Sequence, residues 1–117
     1  LHTSSAAKTI DHIVDVFPAE EKSMVRSMLS ESLQGVVSQA LLKKNGGGRI
    51  AAHEIMVGTA AIRNLIREDK VAQMYSAIQT GAAHGMQTMD QCLQSLVSKG
   101  LISREIAREK AKMPENF

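Results

Sequence analysis

The sequence predicts a mainly α-helical fold that contains one β-hairpin. Apolar residues recur every three or four positions through most of the chain, which is the spacing of one helix face. The exception is a pair of aliphatic runs on either side of Asn45 and three glycines, a combination typical of a hairpin turn. At 117 residues the chain is long enough for one modest hydrophobic core.

Two helices are predicted before the hairpin. Ser4 or Ser5 can cap the first helix, which then continues to about Phe17. Pro18 suits the first turn of the second helix, and the two glutamates that follow it favour the positive end of the helix dipole. The predicted buried stripe of this second helix consists of Met24, Val25, Met28, Leu29 and Leu33.

The hairpin is predicted from two extended runs, residues 36–42 and 49–57. A helix over residues 36–44 is the alternative, because Gln39, Ala40 and Leu41 could continue one. The glycines at positions 46–48 require a turn in either case.

The second half of the chain reads as wholly helical, and we place a subdomain boundary near Gly58. Thr59 is a candidate cap for a helix over residues 60–68, and Asp69 for another over residues 71–79. Residues 80–85 form a loop. A further helix runs from about Met86 to Lys99 and Gly100, and Ser103 caps a last charged helix that ends before Pro114.

Composition excludes several classes of function. A net charge of +2 and an aromatic content of 3% disfavour a nucleic-acid-binding protein, which needs a basic surface and stacking rings. The single cysteine, Cys92, cannot form an internal disulfide, which fits a reducing compartment. No apolar run approaches the length that spans a bilayer, so we expect no direct membrane insertion. Because the chain starts at Leu1, we expect it to be a piece of a longer protein.

Two residue patterns invite a ligand-site interpretation. Gly46, Gly47 and Gly48 are not followed by the Lys-Ser or Lys-Thr of a phosphate-binding loop, so we expect a plain turn there. The four histidines lack the spacing of a zinc site, and we expect no metal. His2 differs from the others, because it lies at a predicted strand-to-helix junction, where an α/β sheet presents side chains to a ligand.

Residues 61–68 carry two arginines on one helical face. Arg63 and Arg67 are four residues apart and flank the apolar positions Ile62, Leu65 and Ile66. The simpler interpretation is a solvated face above a buried stripe. The functional alternative is a contact surface for a neighbouring subunit or a moving domain, since arginine is a good anchor for carboxylate or phosphate.

The sequence of this helix, AIRNLIRE, resembles the motif that characterises the retraction ATPases of type IV pili. Residues 1–6 resemble the histidine box of that family, in which a histidine after a sheet strand faces the terminal phosphate of the nucleotide. The segments GGGR at 46–49, AHEIM at 52–56 and HGMQTMD at 84–90 also resemble family segments. The resemblance covers essentially the whole chain.

The resemblance implies a fold and a function for the parent protein. It implies the C-terminal portion of a RecA-like α/β ATPase domain, at residues 1–58, followed by a C-terminal helical subdomain at 59–117. The family is a cytoplasmic homo-hexamer at the inner-membrane face of the pilus base, where it meets a membrane platform protein and uses ATP and magnesium to retract pili for twitching motility. The Walker A and Walker B motifs are missing from this sequence. We therefore expect the chain alone to be inactive, to hold no cofactor and to contain no catalytic residue.

Two site assignments follow from the resemblance. His2 takes the nucleotide-sensing role of the histidine box. The retraction-specific role falls on Ala61, Ile62, Arg63, Asn64, Leu65, Ile66, Arg67 and Glu68.

The competing interpretation is a free-standing helical adaptor without a nucleotide site. Its binding face would be a methionine-rich stripe of Met74, Met86 and Met89, because methionine-rich surfaces adapt to different partners. An adaptor predicts a well-folded monomer that ignores ATP. A motor fragment predicts exposed apolar surface and self-association.

Overall fold

The computed structural model of the chain describes residues 5–117, and these are mainly helical with a two-stranded antiparallel sheet, as predicted. The strands are Gly35–Lys43 (β1) and Arg49–Val57 (β2). The α-helices are Ala6–Asp15 (α1), Lys22–Ser32 (α2), Ala60–Arg67 (α3), Met74–Gln79 (α4), Met89–Ser98 (α5) and Arg104–Lys110 (α6). Short 3-10 turns lie at Ala19–Glu21, Val71–Gln73, Ala82–His84 and Pro114–Asn116.

Side-chain caps fix where the helices begin. The hydroxyls of Ser5, Thr59 and Ser103 accept the backbone N–H three residues further on, which confirms these predicted caps. Thr88 and Gln91 form a reciprocal capping box, so α5 begins at Met89, three residues later than predicted. The prediction for Asp69 was wrong: this residue lies in the turn after α3 with φ of 58°, and the next helical turn has no side-chain cap.

The hairpin confirms the predicted strands, and the helical alternative for residues 36–44 was wrong. β1 and β2 pair from Gly35 opposite Val57 to Lys43 opposite Arg49. The three turn glycines all have positive φ, a conformation that is costly for other residues. Asn45 ties this turn to the α5–α6 connection, since its backbone N–H donates to Leu101 O at 2.8 Å and its Nδ2 donates to Gly100 O at 3.0 Å.

The hydrophobic core consists of two clusters of buried residues, and the inward face of β2 contributes to both. Met56 lies in the first cluster with residues of α1, α3 and α4, and Ala52 lies in the second with residues of α5 and α6. Each cluster contains residues from both sides of Gly58. In this chain the two predicted subdomains therefore pack against each other through shared apolar contacts.

The predicted stripe of α2 is only partly correct. Met24 and Met28 are 59% and 61% exposed, whereas Val25, Leu29 and Leu33 are half-buried. Phe17 is also exposed, because it lies beyond the end of α1 at Asp15. Pro18 does not lie in the first turn of α2 but precedes a 3-10 turn. The result is an open apolar groove between α1 and α2 of about 350 Å³, which we call the α1–α2 groove; Ile13, Phe17, Met24, Val25, Met28 and Leu29 line it.

Within the described part of the chain, each helix is too short or too polar to cross a lipid bilayer.

Candidate functional site

Helix α3 and the residue that follows it, Glu68, contain the predicted retraction motif, and the structure divides the residues of the motif into three groups. Ile62 and Ile66 are fully buried in the first core cluster, and Leu65 packs half-buried against it. Arg63 is half-buried. The exposed members, Ala61, Asn64, Arg67 and Glu68, share one side of the helix because of its 3.6-residue period. We call these four residues the exposed α3 face.

Arg63 holds α3 against the end of α2. Its Nε donates to Gly58 O at 2.8 Å, and Nη1 donates to Glu31 O at 2.7 Å and to Ser30 O at 3.1 Å. Nη2 donates to Leu33 O at 3.2 Å. The last carbonyls of an α-helix have no partner within the helix and carry the negative end of its dipole. A planar cation with five donors satisfies them well, so the donors of Arg63 are used inside the fold.

Arg67 is exposed, and its hydrogen bond within residues 5–117 is local. Its Nη1 donates to Asn64 Oδ1 at 2.9 Å, one turn earlier on the same helix. Glu68 makes an exposed ion pair with Lys70 at 3.5 Å, which contributes little to stability. The two arginines therefore differ: Arg63 is engaged within the fold, and Arg67 is accessible to another molecule.

Glu54 is a functional candidate that the sequence analysis missed. It lies on β2 between Ala52 and Met56, whose side chains face the two core clusters, and it is 3% exposed. Its Oε1 accepts the N–H of Ala6 at 2.7 Å, and its Oε2 accepts the N–H of Met89 at 3.3 Å. One carboxylate therefore joins the first residues of α1 and α5, and we call this arrangement the Glu54 bridge.

The alternation of β2 offered a signal for Glu54. In a strand, residues two apart face the same side, so Glu54 had to share the inward side of Ala52 and Met56. A charged residue at such a position needs hydrogen-bond partners. Sequence alone could not say that these partners are the starts of two distant helices.

A second buried carboxylate, Asp90, follows directly after Met89 of the Glu54 bridge. Its Oδ1 accepts the N–H of Lys112 at 2.7 Å and its Oδ2 accepts the N–H of Met113 at 3.0 Å. Burial, with a further contribution from the charge of Asp90, raises the pKa of the nearby Tyr75 phenol. The ammonium of Lys112 lies 3.9 Å from the centre of the Tyr75 ring, a cation–π contact.

A cavity of about 360 Å³ opens between the starts of α1 and α5 and the end of α6. Glu54, Tyr75 and Asp90 lie on one part of its wall, and charged residues of α6 and the segment after it lie on another. The cavity contains charges of both signs, including Lys110 and Glu109. It therefore lacks the single sign of charge that would favour one class of ion.

The glycines at positions 46–48 form the hairpin turn, in which Lys44 N–H donates to Gly48 O at 3.0 Å, as expected for a plain turn. Between residues 5 and 117, no group of three or more His, Cys, Asp or Glu is placed to hold a metal ion. His2, the predicted nucleotide-sensing residue, lies outside the described residues.

The adaptor interpretation was wrong about its binding face. Met74, Met86 and Met89 are all buried, the first two in the cluster around Met56 and the third in the cluster around Ala52. A methionine stripe that fills the core cannot receive a partner. The exposed methionines are instead Met24 and Met28 of α2, together with Met113 near the C-terminus.

Comparison with known proteins gives consistent matches. The chain is 81% identical over its whole length to the type IV pilus retraction ATPase PilT of Pseudomonas aeruginosa, and 63% identical over its whole length to a twitching motility protein of Neisseria gonorrhoeae. It covers 34% and 32% of these proteins, about a third of the length of the curated relatives it matches. No protein-family model matches the chain.

A solved structure agrees with the sequence matches. The crystal structure of the pilus retraction motor PilT with bound ADP superposes with a TM-score of 0.88 at 47% identity, over all of this chain and 32% of that one. Across its whole length, the chain therefore is similar in sequence and in fold to a C-terminal part of the PilT-type pilus retraction ATPases.

Proposed function

We propose that this chain serves as the C-terminal part of an ATP-driven hexameric motor that retracts type IV pili for twitching motility. The observation that carries the proposal is the 81% identity over all 117 residues to a pilus retraction ATPase. A PilT structure at 47% identity contains ADP, which supports a nucleotide in the parent protein, and we propose ATP with Mg²⁺ as its working form. Pilus retraction and nucleotide binding are proposed for the full-length protein, since the chain covers about a third of the length of its relatives.

We propose that His2 faces the terminal phosphate of that nucleotide. It would lie four residues before Ala6, where α1 begins. We further propose that residues 1–58 complete the RecA-like core of the parent and that residues 59–117 form its C-terminal subdomain. The contacts across Gly58 would then transmit motion between the two parts.

The exposed α3 face is the proposed working surface of the retraction motif. Arg63 and the buried isoleucines fix α3 to α2 and to the core, so α3 presents Asn64 and Arg67 from a rigid base. A fixed helix with an accessible arginine suits contact with a carboxylate on another subunit or a moving domain. The partners we propose are a neighbouring subunit in the hexamer and, for the assembled motor, a platform protein of the inner membrane, with the motor on the cytoplasmic face.

The test uses the full-length protein in cells that lack their own retraction ATPase. We expect Asn64→Ala combined with Arg67→Ala to abolish pilus retraction while the thermal midpoint of the purified protein stays unchanged, because both side chains are exposed. Arg104→Ala, an exposed arginine on α6, is the matched control and should retract normally. Full retraction by the double variant would overturn the role of this face.

Failure of the whole proposal has a different result. If deletion of the complete gene left pilus retraction and twitching unchanged, the protein would not be the retraction motor. Size-exclusion chromatography with light scattering on the purified full-length protein tests the hexamer, and a monomer in the presence of ATP and Mg²⁺ would contradict it.

A further inference from the structure

The Glu54 bridge satisfies one backbone N–H in each of α1 and α5 that the cap hydroxyl of that helix does not reach. Ser5 accepts the N–H of Lys8, and Thr88 accepts the N–H of Gln91, each three residues into its helix. The N–H of the first helical residue, Ala6 or Met89, is not reached by either cap. Glu54 accepts both of these with its two oxygens.

The Glu54 carboxylate accepts its hydrogen bonds from these two helix starts. The ion pairs found among residues 5–117 do not include Glu54. Its buried carboxylate lies instead at the positive ends of two helix dipoles, where charge-assisted hydrogen bonds from backbone N–H groups are strong. Pulling one helix start away would leave the carboxylate half-satisfied in a buried site, which is costly. The two helix starts are therefore energetically tied to each other through one side chain.

The two helix starts that Glu54 joins lie far apart in the sequence. Ala6 is the last residue of the segment that resembles the histidine box, whereas Met89 precedes Asp90, whose carboxylate accepts the N–H groups of Lys112 and Met113. Hydrogen bonds to Glu54, and to Asp90 directly after Met89, thus connect the start of α1 through the start of α5 to residues 112 and 113.

We propose that Glu54 is a positioning residue that couples the histidine-box end of α1 to the C-terminal helices. A shift of the α1 start is passed to α5 because both depend on the same carboxylate. The expectation that nucleotide produces such a shift rests on the proposed function of His2. The coupling between the two helix starts rests on the geometry of Glu54.

The test is amide hydrogen exchange of the full-length protein with ADP, with a non-hydrolysable ATP analogue and without nucleotide. In the wild type, nucleotide should alter exchange in a peptide covering residues 5–9 and in one covering 87–92. A change at 5–9 with none at 87–92 would overturn the coupling without any variant. No change at either segment would overturn the nucleotide-sensing role of this end of α1, and with it the ground of the inference.

The variant that isolates the coupling is Glu54→Gln. An amide of the same shape has one acceptor oxygen, and its NH₂ faces the second N–H donor, so one helix start is released. We expect the nucleotide effect to persist at 5–9 and to be lost at 87–92. Simple destabilisation would instead raise exchange equally with and without nucleotide.

Glu109→Gln is the matched control, because Glu109 is an exposed carboxylate on the wall of the same cavity. It should leave both nucleotide effects as in the wild type. A folded Glu54→Gln protein that keeps the nucleotide effect at 87–92 would show that Glu54 does not couple the two helices.

Discussion

Nη1 of Arg63, on α3, donates a hydrogen bond of 2.7 Å to the carbonyl oxygen of Glu31 and so caps the C-terminal end of α2. The same guanidinium also reaches the carbonyls of Ser30, Leu33 and Gly58. An arginine inside the proposed retraction motif thus performs a structural task. The effects of its substitution on stability and on activity have to be separated.

Arg63→Ala should destabilise the chain by about 2 kcal/mol, because it leaves several part-buried carbonyls without a donor. Arg63→Lys should recover only part of this loss, since an ammonium lacks the planar fork of the guanidinium. Urea unfolding followed by circular dichroism measures the difference. Arg67→Ala is the control and should change the free energy of unfolding by less than about 0.5 kcal/mol. Equal losses for the two alanine variants would contradict the structural role of Arg63.

Asp90→Asn should loosen the end of the chain while α5 stays folded. The carboxylate accepts two backbone N–H groups, at Lys112 and Met113, and an amide can accept at only one oxygen. Exchange of the amides at 111–117 should increase severalfold, as measured by mass spectrometry. Glu105→Gln, which removes another acidic residue from the first turn of a helix, controls for the loss of charge at a helix start. The structure would be contradicted if both variants exchanged alike at this end.

Asp11→Asn should stabilise the chain at neutral pH. Burial, together with the like charges of Asp15 and Asp69, raises the pKa of Asp11 above 3.8, although Arg26 acts in the opposite direction. A carboxyl with a raised pKa in the folded state binds its proton more tightly there, so its ionisation as the pH rises lowers stability. The advantage of Asn should therefore be present at pH 7 and disappear as the pH falls below the ordinary Asp range. Thermal midpoints at pH 7 and pH 3 measure it, and an equal difference at both would contradict this account.

Met24→Ser combined with Met28→Ser should reduce self-association of the isolated chain. These side chains lie exposed in the α1–α2 groove, and an exposed apolar patch of this kind promotes association. Sedimentation velocity over a range of concentrations should show less oligomer, with an unchanged thermal midpoint. Met113→Ser, at an exposed methionine outside the groove, is the control and should associate like the wild type. A strictly monomeric wild-type chain would contradict the prediction.

Local sequence signals predicted most elements of this fold, and long-range contacts account for what they missed. The hairpin and the caps at Ser5, Thr59 and Ser103 follow from turn glycines and short polar side chains, whose partners lie within a few residues. Glu54 and Arg63 were not predicted in their observed roles, because all their partners except Gly58 lie 30 to 48 residues away. Met24 and Met28 were assigned to a buried stripe because periodicity identifies an apolar face without identifying what covers it.

The attachment of Asn45 to the α5–α6 connection has a consequence for the order of folding. The hairpin itself needs only neighbouring residues, whereas the hydrogen bond from Asn45 to Gly100 closes a loop of 55 residues, which costs more chain entropy. Contacts of such separation slow folding, so we expect the strands to pair before this turn finds its acceptor. Asn45→Ala should accordingly speed unfolding while leaving the refolding rate nearly unchanged, giving a φ value near zero in stopped-flow measurements.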